Sequence, residues 1–349
     1  MTVAAVELAV SADTAVDAGE SLWELLERTG LAPIVVGVSK DANAKVTLIL
    51  VSPESGRPEL VVKAPTTATA ARAVERETRM LRAIRPGLPE RLRATVPCPL
   101  QAVELDGERA LVTTALAGSP MPTSYLRRGH TRDRSRVAGD LERAGAWLAE
   151  LQDATAGEHA PVDVVHGVGD RLRERFADDA RLGEVLDRLA EAGARLERAT
   201  TPSTVVHGDF WFGNVLVTDG AVSGVVDWEF GEPVGEPLRD VVRFALSYAL
   251  YLDRRTRPGR RVAGHPGLRA GSFGAAVEFA VAGEGWFPEQ FRAFLRGGLR
   301  RLGASPDLWP ELVLAGIAEI AARSDDDAFA AGHLDLFCRI GGLLGRESR

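Results

Sequence analysis

Residues 205–229, VVHGDFWFGNVLVTDGAVSGVVDWE, restrict the fold more than any other part of the chain. Asp219-Gly220 is a strong signal for a two-residue hairpin turn between NVLVT and AVSGVVD. Pairing Thr218 with Ala221 sets the register and places Asn214 opposite Val225. Because strand side chains alternate in direction, Asp227 is expected on the same face as Asn214. Val215, Val217, Val222 and Val226 then supply apolar packing on the other face. An amide oxygen beside one carboxylate, with room for water and phosphate oxygens, suits magnesium, which takes few protein ligands and keeps part of its hydration shell.

Five residues before Asn214, Asp209 falls on a loop that follows the short apolar run TVV. A carboxylate there can accept or orient the proton of an attacking hydroxyl, while a metal held by Asn214 and Asp227 neutralises nucleotide phosphates. Taken singly, these residues read more readily as turn chemistry, with His207 and Asp209 capping the next turn and Asn214 forming an Asx turn. Their joint spacing is what points to phosphoryl transfer.

A chain of 349 residues, 45% hydrophobic, can bury enough core for two lobes. A formal charge of -7 argues against a generic nucleic-acid binder, although arginine-rich runs at residues 127–136 and 254–261 stand out. Cys98 and Cys338, far apart and without a CxxC pair, form neither a disulfide framework nor a zinc spacing. The first residues have no basic region ahead of their mildly apolar stretch, and no apolar run reaches membrane-spanning length. The chain is therefore expected to be cytoplasmic, with neither membrane nor nucleic acid among its partners. No sequence signal bears on its oligomeric state.

Lysine is scarce: Lys40, Lys45 and Lys63 are the only three, all in one N-terminal region. A lysine within a strand of so arginine-rich a chain suggests a task for a compact ammonium that a planar guanidinium cannot do. β-Branched runs at residues 33–40, 44–52 and 58–65, bounded by turn residues, predict three antiparallel strands. Residues 68–84 carry Val74, Leu81 and Ile84 on one helical face. Residues 99–105 and 109–116, joined by a turn at Asp106-Gly107, complete a five-stranded sheet with one helix. A leading helix is expected over about residues 18–30. Glycine and prolines in residues 117–122 mark the junction between lobes 1–117 and 118–349. Beyond it, residues 136–154, 169–199, 238–252 and most of 290–344 have helical periodicity.

HGDxxxxN, followed by a hairpin and DWE, resembles the aminoglycoside phosphotransferase family, whose fold is similar to that of protein kinases. The resemblance covers most of the chain and is motif-dense over about residues 205–244. It implies an α+β, bilobal protein-kinase-like fold: an N-terminal nucleotide-binding lobe with a small antiparallel five-stranded sheet plus helix, and a larger, mainly helical C-terminal lobe for catalysis and substrate binding. By the same likeness Asp209 is the catalytic aspartate, Asn214 and Asp227 are the magnesium ligands, His207 supports the loop and Asp240 braces it from the next helix. It also implies a lysine–glutamate pair, met here by Lys63 and Glu77. The residues support that pair independently, because Glu77 lies three after Val74 and four before Leu81, on the apolar face, whereas Glu75 points elsewhere. A carboxylate on a buried face needs a partner. Residues 37–45, including Lys40, would cover the phosphates, although they contain neither GxGxxG nor a P-loop. The adenine would lie against Thr114, Ala115 and Leu116.

The family's kinase-like pattern is also departed from. Trp228 and Glu229 follow Asp227 where protein kinases have Phe-Gly, and only about a dozen residues separate Asp227 from Asp240. With no room for an activation loop, the expected acceptor is a small-molecule hydroxyl, the donor ATP, with GTP as the alternative, and the cofactor Mg2+. Three outcomes follow: an antibiotic-modifying enzyme, a metabolic sugar or amino-alcohol kinase, or a nucleotide-binding pseudokinase with a regulatory role. An aminoglycoside is a polycation and calls for an acidic pocket, for which Glu278, Glu284, Glu319, Asp325, Asp326 and Asp327 are candidates, whereas the arginine runs point the other way. Glu229 reads equally as a ligand and as a solvated carboxylate. Trp211 and Phe212 are expected to pack beneath the loop.

Overall fold

A computed structural model describes residues 20–38 and 43–347. The chain divides into two units, one holding the residues through Ala117 together with Ser223–Phe230, the other Gly118–Val222 and Gly231–Arg349.

In the first unit, helix α1 (Leu22–Thr29) opens on a capping box between Ser21 and Glu24 and closes on left-handed Gly30. Five strands follow: β1 (Ala32–Val38), β2 (Lys45–Val51), β3 (Pro58–Pro65), β4 (Pro99–Leu105) and β5 (Glu108–Thr114), in the order β1-β2-β3-β5-β4 with every neighbour antiparallel. The β4–β5 turn has Asp106 at φ 52° and Gly107 at φ 81°, as a primed hairpin turn requires. One face of the sheet buries Leu48, Leu50, Val62, Val103 and Val112 against Leu22 and Leu25 of α1, each such side chain contributing about 1.5–3 kcal/mol. Between β3 and β4, helix α2 (Ala68–Ile84) starts at Thr67, whose hydroxyl accepts the Ala70 N–H. Its buried stripe is Ala70, Ala73, Val74, Glu77, Met80, Leu81 and Ile84. One carboxylate therefore sits in an otherwise apolar row.

The second unit is mainly helical. Helix α3 (Arg134–Ala154), capped by Asp133, is followed by α4 (Val168–Arg175) and α5 (Leu182–Leu196). The periodicity over residues 169–199 thus resolves into two helices rather than one. Asp179 accepts hydrogen bonds from both the backbone and the side chain of Arg181, a local arrangement that competes with helical bonding and breaks the run. Strand β6 (Thr204–Val206) leads to the motif loop, and β7 (Val215–Thr218) and β8 (Ala221–Val225) are neighbours in one sheet. After β9 (Glu232–Gly235), which pairs with β6, come α6 (Leu238–Leu250), α7 (Ala275–Ala282), α8 (Trp286–Arg301), α9 (Trp309–Arg323) and α10 (Asp327–Glu347). Helix α6 is buried on almost every side, and Phe244 on it packs against Phe210, which in turn stacks on Trp147 of α3 at 5.3 Å. That aromatic column anchors the loop after β6 to two helices. Among the described residues no helix is long and apolar enough to cross a membrane. Cys98 and Cys338 are both free thiols.

Candidate active site

Lys63 is the central residue of the first unit's polar cluster. It lies near the end of β3, opposite Thr47 on one side and Leu111 on the other. Its Nζ donates to Glu77 Oε1 at 2.6 Å and Oε2 at 2.8 Å, and to Asp227 Oδ1. Glu77 is 1% exposed and also accepts the Trp228 N–H, so α2 presents a fixed carboxylate to the lysine while Glu75 faces outward. Burial by itself pushes the Lys63 ammonium down, but the charges of Asp227 and Glu77 more than offset this and raise it above the ordinary lysine value. The lysine is held charged. Asp227 differs from Glu77 in being about half exposed, with 45% of its side chain accessible. Strand β8 ends at Val225, and Asp227 itself has φ 66°, a left-handed backbone. The strand alternation expected to aim this side chain therefore stops two residues short of it.

The same unit contains a second lysine pair that the sequence reading did not join. Lys45 at the start of β2 and Asn43 both bond the Glu229 carboxylate, so Glu229 is not a solvated side chain. The scarcity of lysine pointed at Lys45 as much as at Lys63, but no local spacing links residue 45 to residue 229. Lys40 lies outside the described residues. Around the expected adenine contact, the Thr114 N–H is bonded to the Cys98 carbonyl and the Ala115 N–H to the Glu59 carbonyl. Leu116 is the one of the three whose N–H has no partner among the described residues.

In the second unit, the loop between β6 and β7 is gripped from α6. The buried Asp240 accepts the His207 N–H at 2.6 Å and the Gly208 N–H at 2.9 Å. Burial pushes the Asp240 carboxyl above its usual range, against the pull of His207 and of those two N–H groups. The His207 ring, fully buried, accepts the Asp209 N–H through Nδ1. Asp209 is thereby presented outward from a fixed backbone. Asn214 Nδ2 donates to the Asp209 carbonyl at 3.1 Å and approaches its Oδ2 at 3.4 Å, which turns the amide oxygen the other way. Phe212 is buried against Tyr125, Tyr248 and Tyr251, and Trp211 is half-buried against Phe212.

Arg243 is the residue that the sequence reading missed here. Its Nε and Nη2 reach Asp209 Oδ1 at 2.8 and 2.7 Å. The signal was its position three after Asp240, one turn along the same face of α6. One carboxylate oxygen is thus pinned by a guanidinium while the other remains beside Asn214. Asp209 and Asn214 belong to the second unit, and Lys63, Glu77 and Asp227 to the first.

The family model described as "Phosphotransferase enzyme family" matches residues 38–273, which include every one of these positions. The chain belongs to this phosphotransferase family. Its fold is similar to that of a thermostable mutant of aminoglycoside phosphotransferase APH(4)-Ia in the apo form, with 17% identity over 91% of this chain and 98% of that one and a TM-score of 0.56. The same aminoglycoside phosphotransferase, in a ternary complex with AMP-PNP and hygromycin B, matches at 15% identity over 91% and 97% of the two chains, TM-score 0.57. The macrolide 2'-phosphotransferase MphH from Brachybacterium faecium matches at 17% identity over 90% and 97%, TM-score 0.52. No curated protein matches the sequence significantly. The phosphotransferase thus has the kinase-like α+β fold expected, with a five-stranded antiparallel sheet and a mainly helical second unit.

Proposed function

We propose that this phosphotransferase transfers the terminal phosphoryl group of ATP to a hydroxyl group of a small molecule, with magnesium as cofactor. The observation that carries this reading is the buried Lys63 ammonium, kept charged between Glu77 and Asp227. An ammonium so placed suits nucleotide phosphates, with Glu77 fixing it and Asp227 the more exposed of its two partners. On this reading the first unit binds the nucleotide, with Leu116 the available backbone donor to the adenine. The second unit supplies Asp209, whose Oδ2 accepts the proton of the acceptor hydroxyl while Arg243 holds Oδ1. The complex of a related enzyme with AMP-PNP and hygromycin B supports both the nucleotide donor and the small-molecule acceptor.

Magnesium fits the residues present. Among the described residues no group of three or more His, Cys, Asp or Glu could hold a metal, which disfavours an all-protein cage and leaves a sparse donor set. Asn214 offers an amide oxygen, since its Nδ2 is spent on Asp209, and Asp227 offers a carboxylate. Each is an oxygen donor of the kind that suits an ion that keeps water and takes phosphate oxygens. Magnesium would neutralise the phosphate charge.

A polycationic acceptor is less well served than a neutral or anionic one. Of the acidic side chains that could have formed its pocket, Glu278 is bonded to Arg339 at 2.6 Å, Glu319 to Arg239 at 2.8 Å and Asp327 to Arg175 at 2.6 Å. Their charge is already matched. An ATP-consumption screen over aminoglycosides, macrolides, hexoses, aminosugars and amino alcohols identifies the acceptor. With that acceptor, Asp209→Ala should lower turnover by about 10²- to 10⁴-fold while leaving nucleotide affinity nearly unchanged. Turnover within about tenfold of the parent would remove Asp209 from the role of base.

A further inference from the structure

The two arginine-rich runs, residues 127–136 and 254–261, have no part in phosphoryl transfer as described. Although far apart in sequence, they meet in the second unit. A cavity of about 320 Å³ is lined by Arg127, Arg128 and Arg132 from the first run and by Arg255 from the second, with Tyr251 beside them and no Asp or Glu in its lining. Among the described residues none of these four arginines has an ion-pair partner. Elsewhere in the unit arginines are consumed by carboxylates, as Arg339, Arg239 and Arg175 are. In a chain of net charge -7 this is a concentrated local excess of positive charge.

The loops that carry the arginines are fixed in place. His265 Nε2 donates to the Thr131 carbonyl at 2.7 Å, and burial pushes the His265 imidazole down, so it stays neutral. Gly264, at φ 86°, lets the second loop approach the first: a Cβ there would come within 2.9 Å of the Arg132 Cβ. Trp286 Nε1 then donates to the Gly264 carbonyl, and Gln290 Nε2 to that of Arg134. Arg254 stacks over the Tyr251 ring at 5.2 Å. That ring in turn lies 5.6 Å from Phe212 and 6.3 Å from Trp211, on the loop that carries Asp209 and Asn214.

We propose that this cavity binds a small molecule through phosphate oxygens, at a site distinct from that of the nucleotide. Four guanidiniums exceed what one carboxylate can neutralise, whereas a phosphate or diphosphate offers two or more charges and several oxygens to their planar forks. The volume suits a small molecule and not a polymer. The phosphate belongs either to a free anion or to the acceptor itself.

The test is calorimetric titration of the full chain with inorganic pyrophosphate, in the absence and presence of saturating AMP-PNP. Binding is expected to persist with AMP-PNP, and to weaken about tenfold or more in the double variant Arg128→Gln, Arg255→Gln. The double variant Arg257→Gln, Arg260→Gln removes the same charge from exposed positions of the second run that do not line the cavity, and should stay within about twofold of the parent. Equal losses in the two double variants, no binding by the parent, or complete displacement by AMP-PNP would each overturn the site. This arm does not depend on the transfer reading. A kinetic arm, which does, distinguishes the sources. A KM increase in Arg128→Gln, Arg255→Gln confined to phosphorylated alcohols places the phosphate on the acceptor, and an unchanged KM with lost pyrophosphate binding makes the ligand a free anion.

Discussion

Lys63 donates to three carboxylate oxygens on two residues, a geometry that an ammonium can meet by rotating and a planar guanidinium cannot. Lys63→Arg keeps the charge, yet should lower turnover by roughly tenfold to a hundredfold, the worth of one misplaced charged hydrogen bond. Glu77→Gln should impair the same step and lower stability by up to about 3 kcal/mol, because it leaves a buried cation short of a partner. Exposed Glu75→Gln should stay within about 0.5 kcal/mol of the parent. The variant combining Lys63→Arg with Glu77→Gln should lose less than the two single losses together, since the residues act as one unit. Thermal unfolding and steady-state kinetics on the four proteins check this, and fully additive losses would mean the pair is not coupled. Arg243 makes a different kind of contribution, holding Asp209 Oδ1 through two nitrogens. Arg243→Gln should lower kcat by about tenfold to a hundredfold with the nucleotide KM unchanged. A shift in nucleotide KM instead would tie Arg243 to the donor rather than to Asp209.

Among the elements, the β7–β8 hairpin depends on the same turn chemistry as β4–β5. Asp219 at φ 51° and Gly220 at φ 80° both adopt the left-handed backbone of a primed turn. Gly220→Ala should therefore cost about 1–2 kcal/mol in denaturant unfolding, while Asp219→Asn, which tolerates that conformation, should cost almost nothing. Equal effects would mean the turn relaxes to another type. This hairpin, the five strands and α2 were legible because each is written in a short-range pattern: period-two apolar runs, a turn dipeptide, a helical stripe. Glu77 was legible for the same reason, as a carboxylate within its own helix's apolar face. What escaped notice depends on pairings or backbone states that no local pattern encodes. The bond from Lys45 to Glu229 joins residues 184 positions apart in sequence. Asp227 leaves the strand period by a single left-handed residue, and the break between α4 and α5 comes from Asp179 and Arg181 bonding each other rather than from a glycine or proline. Arg243, by contrast, was within reach of the sequence, since it lies one turn beyond Asp240, which the family likeness already sets against the loop.

For the molecule as a whole, stability against acid should depend in part on a buried histidine of the second unit, His333, whose pKa burial lowers as it does that of His265. His333 on α10 is 2% exposed, enclosed by Phe329 and Phe273 at 4.4 and 5.0 Å, and donates from Nδ1 to the Phe329 carbonyl. Burial drives its pKa down to about 4, and the positive charge of Arg243 adds to the shift. The folded protein therefore holds this imidazole neutral at a pH where the unfolded chain, with an ordinary histidine value of about 6.5, has already taken up a proton. The sign follows. The stability associated with the neutral ring is fully present above about pH 6.5 and is lost as the pH falls through the folded value, amounting to about 3 kcal/mol by pH 4. His333→Gln cannot take up that proton, yet its side-chain amide keeps a donor for the Phe329 carbonyl. Other titrating groups act on both proteins alike and cancel in the difference. Denaturant unfolding at pH 7 and pH 4 should show the parent losing about 3 kcal/mol more than the variant between the two conditions. Equal losses would mean that the ring is already protonated in the folded state, and that α10 opens to admit water before the rest of the unit unfolds.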